Sequence, residues 1–476
     1  MRFRTLFILL SIVAGLAACR KNTLLTSGGS LRFSTDTLTF DTVFTETGSF
    51  TLGVKLYNTS DAPVTLSSVR MGGGATSPFR INVNGIPGPD VTDVEIAAND
   101  SVYVYALVRI NPDTVNAPFI VQDSLIATLN GQRFMLPFIA YGQNAHYING
   151  ELLKTQTWGA TDKKPYVIIN SALIEPGNTL TIVPGTRVYM HANSRLIIQG
   201  KLLAQGTKRD SIVFQGDRLD RNYFGGRGYP GEWGGLYFDS RSNGSMLQHV
   251  VLKNGGNTAL NTYPALIQVN PDSVNNGIPQ LYLDKVTIQN SIGYGILSFG
   301  GSIVGNNLLI HSCGANALAL LQGGTYEFNN GTFHLQGTYA LRHVDQPTLV
   351  ALNYLDLGKG AFRDQALKAT FRNSIFWGTL DNEVFCGKRP NTAYEVTLDH
   401  CLLKAKDAAN YTSAQQTGVL LNTDPEFTDP DKEDFHPKPT APVKNAGIPL
   451  TVTDLQTDRD DQARGGQWDL GCYKVK

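Results

Sequence analysis

A repeat in the C-terminal part of the sequence limits what this chain can fold into. Aligning segments gives Leu247-Gln248-His249-Val250-Val251-Leu252-Lys253, Leu283-Asp284-Lys285-Val286-Thr287-Ile288-Gln289 and Gly305-Asn306-Asn307-Leu308-Leu309-Ile310-His311. It continues with Phe328-Asn329-Asn330-Gly331-Thr332-Phe333-His334, Phe371-Arg372-Asn373-Ser374-Ile375-Phe376-Trp377 and Leu398-Asp399-His400-Cys401-Leu402-Leu403-Lys404. The shared form is an apolar residue, a polar pair, two variable positions, an apolar residue and an exposed position. The second apolar positions fall 22 and 23 residues apart in the middle of the series and 27 apart at its end. Between Phe333 and Phe376 the step is 43, nearly two units, and between Leu252 and Ile288 it is 36, with residues 261–279 as an insertion. A period near 22 built from strands and Asn or Gly turns is what a stacked β-coil requires. One coil cannot bury its inward side chains alone, so Leu252, Ile288, Ile310, Phe333, Phe376 and Leu403 are expected to stack into an axial core. The amides of Asn306-Asn307 and Asn329-Asn330, at one bend, suit turns and hydrogen-bonded ladders.

Composition agrees with such a fold. The 476 residues exceed one ordinary domain, so two or more domains are expected. A chain 42% hydrophobic and 17% charged can bury a large core, and 48 glycines and 22 prolines without a Gly-x-y period mean many turns. The 40 basic and 40 acidic side chains give zero net charge, which argues against nucleic acid as a partner because phosphate backbones are bound by clustered Lys and Arg.

Residues 28–145 read as short alternating strands, at 38–44, 50–57, 102–110 and 134–141, separated by turn clusters such as Asn58-Thr59-Ser60-Asp61. That spacing predicts a β-sandwich. The layout resembles, in pattern, the immunoglobulin-like modules that bacterial surface proteins place beside a membrane anchor, which implies a spacer or docking role. Residues 143–165 are expected to form a junction.

At the N-terminus, Arg2 and Arg4 precede an apolar run from Leu6 to Leu16, the layout of a secretory signal and short for a membrane span. The run ends in Leu16-Ala17-Ala18-Cys19, which resembles the bacterial lipobox. The resemblance implies that residues 1–19 are a lipoprotein signal ending at the acylated Cys19. Acyl chains there would anchor the protein, at about 0.8 kcal/mol per buried CH2. Arg20 and Lys21 follow, so the Asp that resembles an inner-membrane retention signal is missing and the outer membrane is expected, with periplasmic or surface facing left open. Four cysteines remain, Cys313, Cys386, Cys401 and Cys472, at spacings that match no zinc motif. Cys386 with Cys401 is the nearest pair, and free buried thiols are an equal expectation.

Residues 165–476 resemble the right-handed parallel β-helix proteins of pectate-lyase-like fold, in their secreted or lipid-anchored bacterial form. The resemblance rests on Gly231-Glu232-Trp233-Gly234-Gly235-Leu236-Tyr237-Phe238, on Asp424-Pro425-Glu426-Phe427 with Asp434-Phe435-His436-Pro437 and Ala441 to Gly447, and on Asp469-Leu470-Gly471-Cys472-Tyr473. The last of these looks like the family's closing coil, although Cys472 and Lys474 depart from it. The expected fold is therefore all-β: an N-terminal immunoglobulin-like β-sandwich followed by a right-handed parallel β-helix.

Fold does not carry function. Members of such a family include lyases, polygalacturonases and non-catalytic binding proteins. Of a polygalacturonase-like set only Asn422-Thr423-Asp424 matches, and Asp460-Asp461 stands without a histidine motif. Asp284 with Lys253 is a loose lyase pairing, and no two carboxylates fall on equivalent positions of adjacent central coils. Asp429, Asp431 and Glu433 alternate as calcium ligands do, but Asp434 and Thr440 occupy positions where that loop needs Gly and Glu, so the segment reads as a solvated loop and no metal or other cofactor is expected. The position after the second apolar residue places Lys253, Gln289, His311, His334, Trp377 and Lys404 in one outward file. Amides, imidazoles and an indole on a flat sheet suit stacking and hydrogen bonding to a sugar polymer, with residues 221–230 as a wall. The reading is a non-catalytic binding or structural module of the cell envelope that binds a polysaccharide or an envelope protein. A polysaccharide lyase or glycoside hydrolase with a divergent site is the alternative.

Overall fold

A computed structural model describes residues 23–112, 118–219, 228–257 and 263–476. Cys19 and most of the 221–230 insertion lie outside them. The described chain is all-β, with helix confined to four 3-10 turns. It divides into two compact units between Asn144 and Ala145.

The first unit holds two five-stranded sheets. One contains Leu31–Phe33, Leu52–Asn58, Ser101–Val108, Phe79–Val83 and Ile86–Pro87; the other contains Leu38–Phe44, Gln132–Gln143, Phe119–Leu129, Ser68–Met71 and Asp90–Val91. Pairing is antiparallel except where Leu38–Phe44 runs parallel to Gln132–Gln143. The period-2 pattern buries Leu52, Val54 and Leu56 on one face of their strand. Phe79 of the first sheet meets Phe40 and Phe138 of the second at 5.6 and 5.5 Å between ring centroids, so the two sheets share one core. A fully buried Phe contributes about 1.5–3 kcal/mol. The hairpin joining Phe119–Leu129 to Gln132–Gln143 turns at Asn130-Gly131, both at positive φ, which is the two-residue turn that matches strand twist.

The second unit is built of parallel ladders, consistent with a β-helix. In a typical coil Ser302–Asn306 lies on a first face, Leu309–Cys313 on a second and Leu318–Leu321 on a third, before Gly324–Asn329 returns to the first. Each strand pairs in parallel with its equivalent one coil on: Asn306 with Asn329, Ile310 with Phe333, Leu318 with Leu349. The first face is a ten-stranded sheet. Leu252, Ile288, Ile310, Phe333, Phe376 and Leu403 are register partners in turn and fully buried, as the repeat requires. Phe333 and Phe376 stack at 4.9 Å.

Between the first and second faces, His249, Lys285, Asn307, Asn330, Asn373 and His400 occupy the left-handed region, with φ between 47° and 54°. Asn adopts that region more readily than most residues, since its short polar side chain bonds locally. The amide ladder is present: Asn329 Nδ2 donates to Asn306 Oδ1 at 3.0 Å and Asn373 Nδ2 to Asn330 Oδ1 at 3.3 Å.

Four details differ from the sequence reading. The 43-residue step is one coil, because Phe333 pairs directly with Phe376. The extra length is a loop after Leu335 and a hairpin of Tyr354–Gly358 with Ala361–Asp364. Residues 261–279 are not wholly an insertion, since Ala265–Val269 is a regular third-face strand. The expected junction 143–165 supplies the first coil: His146–Leu153 and Gln156–Trp158 pair in parallel with Tyr166–Ile174 and Thr179–Ile182, and Trp158 stacks on Tyr166 at 4.5 Å.

The fourth concerns the end of the chain. The segment expected to close the helix as a final coil instead turns back along its outside. After Leu420–Leu421, a hairpin of Phe427–Asp429 with Asp434–Pro437 leads into residues that pack Val443, Leu470 and Cys472 on the outward side chains of Leu309, Ile375 and Leu402. It satisfies the turn ladder as it goes: Asn330 Nδ2 donates to the carbonyls of Asp469 and Gly471, Arg464 donates to Asn307 Oδ1 at 2.7 Å, and Lys285 to Thr457 Oγ1 at 2.8 Å. Lys208, several coils earlier, meets Asp460 at 3.4 Å. Two demands fix this path: three outward apolar side chains that water would penalise, and buried turn amides that need partners. Cys313, Cys386, Cys401 and Cys472 are all free and buried, and burial pushes the first three thiols up to about 12 and the last to about 11. Thiols so protonated are poor nucleophiles.

Candidate functional site

The second face brings the predicted file together. Lys253 pairs with Gln289, Gln289 with His311, His311 with His334 and His334 with Trp377, while Lys404 holds its Nζ 5.3 Å from the centre of the Trp377 ring. The file is not the open ladder the sequence predicts. His311 is 2% exposed and His334 5%, because the C-terminal hairpin lies across them. Phe435 meets the two imidazoles at 4.8 and 5.2 Å, and Phe427 stands edge-on to His334 at 5.7 Å.

Burial sets their charge. His311 is pushed down to about 3 by desolvation, helped by His334 and Arg459. His334 is pushed down to about 4 by the same cause, with Glu383 and Asp424 pulling the other way. Both are neutral at pH 7. His311 Nδ1 lies 3.0 Å from Ser312 Oγ. His334 Nδ1 is buried with no hydrogen-bond partner among the described residues. Removing a polar atom from water without a partner costs about 1–3 kcal/mol, so its presence asks for an explanation.

Only the two ends of the file stay open, each into a cavity, and Pro430 borders both. The larger, about 620 Å³, opens beside Lys253 and Gln289. Its floor is amide-rich: Asn254, Asn290 and Ser312 end successive second-face strands with φ of 62°, 55° and 53°, which sets their side chains one coil apart. Asn290 Nδ2 donates to Asn254 Oδ1 at 2.8 Å and to the Gly228 carbonyl at 2.9 Å. The hairpin tip forms one wall, where Gln289 donates to Glu433 at 3.1 Å and Gln336 to Asp431 at 3.2 Å. Tyr339 forms the other, donating to the Gly228 carbonyl at 2.7 Å with Tyr229 edge-on at 5.9 Å. The smaller cavity, about 280 Å³, is lined by His334, Trp377 and Phe427, the carboxylates of Asp424 and Glu426, and Lys438.

The loop 336–339 and the acidic residues Asp424, Glu426, Asp431 and Glu433 were not among the predicted site residues. The sequence signal was there, in the acidic stretch 424–434, but a solvated loop and a cavity wall have the same composition. Within it Asp429 is paired with Lys432 at 2.7 Å, and among the described residues no group of three His, Cys, Asp or Glu is placed to hold a metal ion. The catalytic fragments do not assemble into one site. Asn422 spends its amide on Ala405, Asp460 is bound by His436 at 3.0 Å, and Asp284 is buried on the first face, accepting from Gln248 at 3.1 Å. The buried Glu383 accepts from His343 Nε2 at 3.0 Å, from the Thr348 hydroxyl at 2.7 Å and from the Leu380 amide at 2.8 Å, which fastens the loop of the enlarged coil.

No family model matches the sequence, and no curated protein matches it either. Among solved structures, the chain is similar to a family 123 glycoside hydrolase from Clostridium perfringens that hydrolyses glycolipid glycans, at 12% identity over 26% of this chain and 30% of that one, with a TM-score of 0.19. The chain therefore spans under a third of that enzyme. A likeness of this size carries no argument about activity.

Proposed function

We propose that this chain is a lipid-anchored protein of the bacterial cell envelope, in which an immunoglobulin-like sandwich precedes a right-handed parallel β-helix, and that the second face of the helix binds a glycan beside the C-terminal hairpin. The observation that carries the glycan reading is the larger cavity, where the side chains of Asn254, Asn290, Gln289 and Gln336 meet the ring of Tyr339 in one groove. Convergent amides with an aromatic wall fit a ligand that offers hydroxyl groups and apolar ring faces together. The anchoring reading rests on Cys19 after its small pair, with the outer membrane as the proposed location. Labelled fatty acid should enter the wild-type chain in a bacterial host and be lost in Cys19→Ala; equal labelling of the variant contradicts it.

The test of the glycan reading is retention of the purified protein on a polysaccharide panel, scored also for release of new chain ends. Retention without cleavage is the expected result. The enzyme reading, a polysaccharide lyase or glycoside hydrolase, has one observation in its favour: Asp424 and Glu426 both line the smaller cavity, and hydrolysis by paired carboxylates needs two. New ends that disappear in Asp424→Asn would establish it. No retention on any polysaccharide would turn the search to an envelope protein partner.

A further inference from the structure

The charges lining the groove bear on which glycan it takes. Three described cations line the two cavities, Lys253, Lys432 and Lys438, against four anions, Asp424, Glu426, Asp431 and Glu433. Lys432 is already paired with Asp429 at 2.7 Å. His334 adds no charge above about pH 4. Recognition of a carboxylated polymer relies on forked guanidinium groups or a cationic field, and the described lining holds no arginine. An acidic polysaccharide would meet described carboxylates that outnumber the described cations, four to three.

The smaller cavity adds a second observation. Its volume, about 280 Å³, lies at the bottom of the range for ligand pockets, enough for about one sugar ring. Trp377 and Phe427 offer apolar faces, while Asp424 and Glu426 offer acceptors. The side chain of His334, more than nine-tenths buried, lines this cavity, and its Nδ1 has no hydrogen-bond partner among the described residues. A neutral imidazole left unfilled in a cavity of acceptors and ring faces is matched by an uncharged pyranose, whose hydroxyls can both donate and accept. Pro430 borders both cavities.

We propose that the groove is specific for an uncharged glycan, with one sugar ring seated in the smaller cavity against His334 and Trp377, and that it rejects polyuronates. This rests on the glycan reading above and narrows it. The test is calorimetric titration of the full chain with uncharged gluco- and manno-oligosaccharides and with an oligogalacturonate of equal length. The expected result is binding of an uncharged oligomer at least tenfold tighter than the uronate, weakened about tenfold by His334→Gln and by Trp377→Ala. Asp424→Asn, on the exposed rim, gives the same loss should the buried variants fail to fold. Equal or tighter binding of the uronate overturns the proposal and leaves the glycan reading standing. Binding that survives all three variants but is lost in Asn290→Ala overturns the placement of the ring. No binding of either oligomer overturns the glycan reading, and this proposal with it.

Discussion

Burial beneath Phe435 keeps His311 and His334 neutral and ties the stability of the second unit to pH. Their folded values, about 3 and about 4, lie below the usual imidazole value near 6.5. Between those values the unfolded chain takes up protons that the folded chain refuses, so stability is full above about pH 6.5 and falls as the pH drops toward 4. For His334 alone the loss is on the order of 3 kcal/mol. Melting temperatures measured from pH 7 to pH 4 should fall steeply in the wild type and less steeply in His334→Gln; parallel curves would contradict the burial. Asn330 presents a separate case. Its φ is 51°, and its side chain donates to the carbonyls of Asp469 and Gly471, both at 3.2 Å. Asn330→Ala loses those bonds and strains the backbone, for an expected cost of about 2–4 kcal/mol. Asn330→Gly keeps the backbone relaxed and should recover about 1 kcal/mol of it, which denaturant unfolding of the two variants can resolve.

The second-face strands show what a strand pattern can and cannot reveal. Leu309-Ile310, Ile375-Phe376 and Leu402-Leu403 each put two apolar residues side by side, and in a period-2 strand one of each pair must point outward. Those outward residues are buried under Leu470, Cys472 and Val443. The doubled apolar residue was therefore a legible sign that something covers this face, whereas the family resemblance directed attention to the end of the helix. Leu470→Ala should cost about 2–5 kcal/mol and raise protease cleavage between residues 423 and 476 ahead of the coils. Simultaneous cleavage of coils and covering segment would show that the two unfold as one. The axial core was legible because it obeys one local period. The enlarged coil was not, since a 43-residue step made of one loop and one hairpin has the same length as two coils.

At the scale of the whole chain, the described residues divide into two units, and the sequence told them apart by a change from irregular strands to a repeat. The candidate site was legible only in part. The file residues are adjacent through a repeating register, which spacing reveals. The groove depends on Gln289 meeting Glu433 and on Gln336 meeting Asp431, pairs separated by 144 and 95 residues that no local pattern connects. The same distance explains why the imidazoles were expected in solvent and are found beneath the hairpin.

Occupancy of the groove beside that hairpin by a glycan carries the proposed function. Its most direct test is the affinity of the wild type and of Gln289→Ala and Tyr339→Ala for whichever oligosaccharide the panel retains. Both substitutions replace partly or fully exposed side chains and should leave the fold intact. A loss of about tenfold or more in each, with unchanged melting temperature, is the predicted result. Undiminished affinity in both would place the glycan elsewhere.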